Sequence, residues 1–302
     1  MNTKFLKGVI LVFIGAVCFS TKGIFAKLAF RYNINGIQLL MLRMLFSLPF
    51  YITILSYTYK KTITPRINKN DWITIFTMGI VGYYLAALFD FLGLQYVSAS
   101  LERNIIFTYP TFVLLFGFLF YKRSVQHLQL IAVILCYVGI IIAFYSDQKM
   151  YMNANLTKGT IYVLLSALTY ALYLVSSDKL IKNIGPIQFT CISMIISGVA
   201  VLIHYLIIYG FQLLSFPKEV YFLGFGLAII GTVLPTFLMT KGIEIIGSSN
   251  MSIIASTGPI ATIFLSYIFL QEELTLLHGF GTLLVLIGVL VLSIKGGTTE
   301  LT

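Results

Sequence analysis

The chain has 302 residues, of which 59% are apolar and only 10% are charged, whereas an ordinary soluble domain is about a quarter charged. Apolar runs of about 20 residues, long enough to cross a hydrocarbon core of about 30 Å, recur from end to end, which excludes a water-soluble fold. The net charge of +10 does not point to nucleic acid, because the cations sit at the ends of these runs and follow an orientation rule set out below.

Ten membrane spans are predicted, over residues 5–30, 35–58, 71–92, 97–120, 127–146, 157–181, 187–209, 218–241, 248–270 and 276–295. Lys4 and Lys7 precede span 1, whose apolar run reaches Phe30 without a small-residue cleavage site, so it reads as an uncleaved span. Its stripe of Gly15, Phe19, Lys22 and Ala26 lies on one helix face. Lys27 lies about 140° further round, one turn from the helix end, where it can reach the interface. Span 2 carries Arg43, and the longest loop, Tyr59 to Asn70, follows with Lys60, Lys61, Arg66 and Lys69. Span 3 has the stripe Gly79, Tyr83, Ala87 and Asp90. Span 4 places Glu102 and Arg103 beside a polar stripe of Ser100, Asn104, Thr108 and Thr111, with Pro110 among them. Span 6 turns Ser166, Tyr170, Tyr173 and Ser177 to one side, and span 9 contains Pro259. Cys18, Cys136 and Cys191 fall inside spans at no metal-ligand spacing, and His127, His204 and His278 are scattered. Structural roles are expected for all six.

The same five-span pattern is written twice. Gly82 and Gly231, Gly93 and Gly242, Pro110 and Pro259, and Gly139 and Gly288 all stand 149 residues apart. The repeats are drawn as residues 1–146 and 147–302. An odd number of spans per repeat turns the second copy upside down. The fold class expected is therefore an all-α integral membrane protein of ten helices in two inverted five-helix repeats. That is an architecture of alternating access, with a substrate site near the repeat interface. Paired prolines in corresponding segments mark expected hinges, Pro110 and Pro259.

With the N-terminus inside, the cytoplasmic segments hold Lys4, Lys7, the cluster over 60–69, Lys122, Arg123, Lys179, Lys182, Lys241 and Lys295, against Arg31, Lys149, Lys158 and Lys218 outside. This positive-inside bias puts both termini in the cytoplasm of a cell-membrane protein.

Charges within spans cost several kcal/mol unless paired or hydrated. At a rise of 1.5 Å per residue, Lys22, Arg43, Glu102 and Arg103 lie roughly 7–12 Å below the outer surface, with Asp90 nearer to it. A cluster of similar depth follows, carrying net +1 if all five ionise. Lys22, Phe19, Arg43, Tyr83, Asn104, Tyr170 and Tyr173 are the candidate substrate-binding residues, and Glu102, Arg103 and Asp90 the candidate coupling or charge network. Two alternatives stand beside this: a structural ion pair between Asp90 and Arg103, and a purely structural Arg43. The copies are chemically unequal, since Lys22 corresponds to Tyr173, Arg43 to Ser193, Asp90 to Met239, Glu102 to Met251 and Arg103 to Ser252.

The run Ala16 to Lys27, the Leu42-Arg43-Met44 triplet, Gly93 to Leu101, Tyr109-Pro110, Thr257-Gly258-Pro259 and Phe269 to Thr275 resemble the EamA family of the drug/metabolite transporter superfamily, over nearly the whole chain. The resemblance implies ten helices and export or exchange of small metabolites. The chain departs from the family pattern at Phe19, where tryptophan is common, and at Arg123, where an acid matching Glu272 is expected.

The function expected is a secondary active transporter, an exporter or exchanger of a small metabolite such as an amino acid, with protons as a candidate coupling ion. A non-transporting membrane receptor or scaffold, and a membrane-embedded enzyme, are the alternatives. The former is expected to carry a larger soluble loop; the latter needs a metal constellation or nucleophile–base pair. The sequence calls for no cofactor, no metal, no catalytic residue and no nucleic-acid partner.

Overall fold

The computed structural model describes residues 3–61, 68–122, 125–151, 154–211, 216–273 and 275–296. Arg66 and Arg123 lie outside these described residues. Among them there are helices and no strands, as expected where hydrocarbon leaves backbone groups no partner but their own helix. Among the described residues nine helices are long and apolar enough to cross a membrane, and Leu276–Leu292 is a shorter tenth. The expected spans are all found within a few residues of their bounds.

The irregularities come in pairs. Span 3 runs from Lys69 to Leu94 but is π-helical over Gly79–Leu85, and span 8 is π-helical over Ile229–Val233. Span 4 is broken into Ala99–Ile106 and Tyr109–Tyr121. On the other side, Gly247 (φ 79°, ψ 163°) interrupts the chain after span 8. A short helical stretch then ends at Ala255, and Gly258–Leu270 follows. Pro110 and Pro259 both occupy the first turn of the second helical piece, where a missing N–H costs nothing. Lys122 and Gln271 end these pieces in the same left-handed conformation.

The inversion is visible residue by residue. Along spans 2 and 7, Asn35 donates to the Tyr209 hydroxyl at 2.7 Å, Leu48 lies against Gly198, and Leu55 packs with Phe189. Numbers rise on one helix as they fall on its counterpart, so the equivalent helices are antiparallel. Spans 5 and 10 behave alike: Ser146 and Thr275 hydroxyls are 2.6 Å apart, and Gly139 abuts Gly281. Span 1 crosses span 8, and span 3 crosses span 6, through matching contacts. Gly231 sits against Lys22, and Gly82 against Tyr173.

Close crossing without a hydrophobic force between helices depends on small residues. A methyl on Gly139 would lie 2.5 Å from the Gly281 carbonyl oxygen, whereas one on Gly279 meets nothing within 4 Å. Gly139→Ala is therefore expected to destabilise the protein by about 1–3 kcal/mol through overpacking. Gly279→Ala is expected to change it by less than about 0.5 kcal/mol. Thermal unfolding of both variants in detergent checks this; equal melting temperatures would reject the close packing of spans 5 and 10.

Candidate functional site

Four elements bring the charges together. Span 1 carries Lys22 past the π segment of span 8, where Gly231 lets the two backbones approach. Span 3 delivers Asp90 one turn beyond its own π segment, and the short helix Ala99–Ile106 delivers Glu102. The Lys22 ammonium is 2.6 Å from Asp90 Oδ2 and 3.0 Å from Glu102 Oε1, and all three side chains are buried. Asp90 thus pairs with Lys22, and the alternative pairing with Arg103 is not found among the described residues.

Two buried arginines flank this triad. Arg43 Nε donates to Thr232 Oγ1 at 2.8 Å, and its guanidinium lies 5.4 Å from the centre of Phe91, the residue after Asp90. Thr232 donates in turn to the Leu227 carbonyl five residues back, within the turn that the π segment widens. Arg103 lies between the rings of Phe19 and Phe107, at 5.8 and 5.1 Å. Its guanidinium also reaches the start of the second span 9 helix, leaving no room for a side chain at Gly258. Cation–ring contacts of this kind strengthen when desolvated. Asp90 Oδ1 and Arg103 Nε have no hydrogen-bond partner among the described residues. A structural network is normally satisfied throughout. Spare donor and acceptor atoms suit a site that a ligand completes.

A wall of rings leads away from Arg103. Phe107 meets Tyr109 at 6.4 Å, Tyr109 meets Tyr170 at 5.3 Å, Tyr170 stacks with Tyr173 at 5.9 Å, and Tyr173 meets Tyr83 at 4.8 Å. The Tyr83 and Tyr173 hydroxyls are 3.1 Å apart. Tyr173 thus occupies against the first π segment the place that Lys22 occupies against the second. Asn104 does not join the triad: its amide donates to Thr282 on span 10 at 2.8 Å.

The residues that sequence reading overlooked act on the helix carrying Glu102 and Arg103. Glu272 accepts from the Ala99 N–H at 2.9 Å and from the Ser100 hydroxyl at 2.8 Å. Asp147 accepts from the Ser98 N–H at 3.1 Å and lies 3.6 Å from His278. Two carboxylates from outside the helix therefore hold its N-terminus, where free N–H groups and the helix dipole favour negative charge. A polar cavity of about 580 Å³ adjoins them, lined in part by Lys27, Arg31, Ser98 and Glu272. Lys27 faces this cavity. Glu272 was legible only as part of a family-like run; Asp147 gave no signal, and Thr232 only its place beside Gly231.

The EamA-like transporter family model matches residues 6–145 and again 157–294. A Bacillus subtilis protein, the uncharacterized transporter YcbK, is 32% identical over 280 residues, covering 91% of this chain and 88% of its own. The uncharacterized inner membrane transporter YicL of Salmonella typhimurium is 24% identical, covering 95% of each. A crystal structure superposes with a TM-score of 0.62 at 12% identity, covering 97% of this chain and 98% of its own, a likeness of fold.

Lys22→Met leaves two buried carboxylates without their cation. That is expected to cost about 3 kcal/mol or more. Lys22→Met with Asp90→Asn and Glu102→Gln removes the imbalance and is expected to recover most of the loss. Melting temperatures decide; a triple variant no more stable than Lys22→Met would mean that the three charges do not form one network.

Proposed function

We propose that this multi-pass membrane protein, which belongs to the EamA-like transporter family, is a secondary transporter that exports or exchanges a small carboxylate-bearing metabolite, such as an amino acid, by alternating access. The observation that carries the reading is the buried Lys22–Asp90–Glu102 triad flanked by two buried arginines, Arg43 and Arg103, the latter with an unpaired Nε, at the interface of inverted repeats.

In this arrangement the charges of the triad pair with one another, and Asp90 Oδ1 is left over. A substrate carboxylate takes Lys22, with Arg43 or Arg103, from its present partners. A substrate ammonium group takes the carboxylates thus freed. The exchange of partners favours a zwitterion, because a lone anion leaves Asp90 and Glu102 uncompensated in low dielectric. Where no ammonium is supplied, a proton on Glu102 does the same work, so proton coupling belongs to the same scheme. Phe19 and the tyrosine wall of Tyr83, Tyr170 and Tyr173 give the rest of the substrate an apolar face with hydroxyl edges. Asn104 is left as a tie to span 10.

Pro110 and Pro259 begin the second pieces of spans 4 and 9, and with the π segments of spans 3 and 8 they form two matched sets of deformable points. Bending at one set while the other holds is how inverted repeats exchange access. Such sites suit a bistable element that ligand binding can bias. The excess of cations on the segments joined to the termini favours cytoplasmic ends in the cell membrane.

The test is uptake and exchange in proteoliposomes over an amino-acid panel. The Lys22→Met, Asp90→Asn, Glu102→Gln triple variant is expected to lose transport by at least tenfold while staying folded. Wild-type rates would make the charges structural. In the same assay Pro110→Ala and Pro259→Ala are expected to slow turnover more than they weaken binding; unchanged turnover in both would leave the prolines a packing role. Tags at residues 1 and 302 are expected to stay inaccessible from outside intact cells, and exposure of either would overturn the orientation.

A further inference from the structure

Outside the bundle, a groove of about 650 Å³ runs between the end of span 1 and the start of span 8. Its walls include Leu28, Leu223 and Phe222, the last 78% exposed. Its mouth holds Arg31, Lys218 and Glu219, all three exposed. Arg31 spends one donor on the Leu270 carbonyl, at 3.4 Å, which leaves the others of its five. No ion pair joins the three charges among the described residues. Lys218 and Glu219 open an eleven-residue helix, so free backbone N–H groups add to the cationic side of the mouth.

The groove therefore has an apolar floor on the membrane side and a mouth of two cations and one carboxylate at the span ends. This is the profile of a lipid with an anionic headgroup, since basic pockets between transmembrane helices take such headgroups. A soluble metabolite has no use for the apolar walls, and a zwitterionic headgroup, whose phosphodiester brings its own cation, suits a mouth of net charge +1 less well than a headgroup of net negative charge. We infer that the groove binds an anionic phospholipid, its phosphodiester on Arg31 and Lys218, its acyl chain along Leu28, Phe222 and Leu223. Headgroup hydroxyls, as in phosphatidylglycerol, give Glu219 donors to accept from. The bound lipid ties the end of span 1, the helix that carries Lys22, to the start of span 8, whose π segment crosses it.

The experiment follows thermal unfolding of the purified, delipidated protein in neutral detergent. Phosphatidylglycerol, phosphatidylcholine of the same acyl chains, and inorganic phosphate are each added. Phosphatidylglycerol is expected to raise the melting temperature by about 3 °C or more, as a ligand binding only the folded state does. Phosphatidylcholine and phosphate are expected to do little. Arg31→Gln with Lys218→Gln is expected to abolish the shift, Lys218→Gln alone to halve it, and Lys60→Gln, at the other end of the bundle, to leave it intact. An equal shift from phosphatidylcholine or from phosphate overturns the proposal. So does a phosphatidylglycerol shift that survives in both groove variants, or a lipid-free dimer that covers the groove.

Discussion

A lysine ammonium buried among apolar helices is costly unless carboxylates come with it. In this chain the two that come belong to separate spans: Asp90 from span 3 and Glu102 from the short helix that opens span 4. The geometry of the first repeat follows from bringing them to Lys22. The short helix must enter at the right depth, and Glu272 and Asp147 hold its N-terminus there. Span 1 must lie close to span 8, which Gly231 allows. Arg43 must be kept from collapsing onto the triad, and Thr232 and Phe91 occupy it instead. Each of these contacts joins elements distant in sequence.

Symmetry sets the backbone around the triad, and its breakage sets the side chains there. The two π segments, the two split helices and the two left-handed helix ends are matched across the repeats. A lipid environment tolerates such irregular backbone only where protein or a cavity satisfies it, so the matched set surrounds the interior of the bundle. Side chains at the matched positions differ. Lys22 faces one π glycine and Tyr173 faces the other, so one half presents ions and the other hydroxyl-edged rings.

Buried ion pairs seldom add net stability, because desolvation offsets most of their attraction. The triad is therefore poorly explained as a clamp, and the unpaired Asp90 Oδ1 within it and Arg103 Nε beside it argue the same way. A network that can exchange its partners for those of a ligand at little net cost is what a transporter needs.

The periodic apolar runs and the paired glycines and prolines were enough to indicate ten spans and the inversion, because hydrocarbon leaves the backbone few alternatives and an odd repeat must turn over. The charges in spans 1 to 4 were legible for a related reason: an ion in a membrane helix is too costly to be incidental. Their partners were not legible. Whether Asp90 meets Lys22 or Arg103 depends on helix rotation and on a π segment that shifts every later side chain in span 3, and no residue pattern announces that extra turn width. Asn104 shared a polar stripe with Ser100, yet the short helix turns it towards Thr282. Glu272 and Asp147 stand at span ends, where carboxylates are cheap and carry no message by themselves. Sequence alone determined the helices and their inverted order, since these follow from local hydrophobicity and the period of the helix; only the tertiary structure decided which buried charges meet, because that turns on ångström-scale crossings between helices whose charges stand 68 and 80 residues apart in the chain.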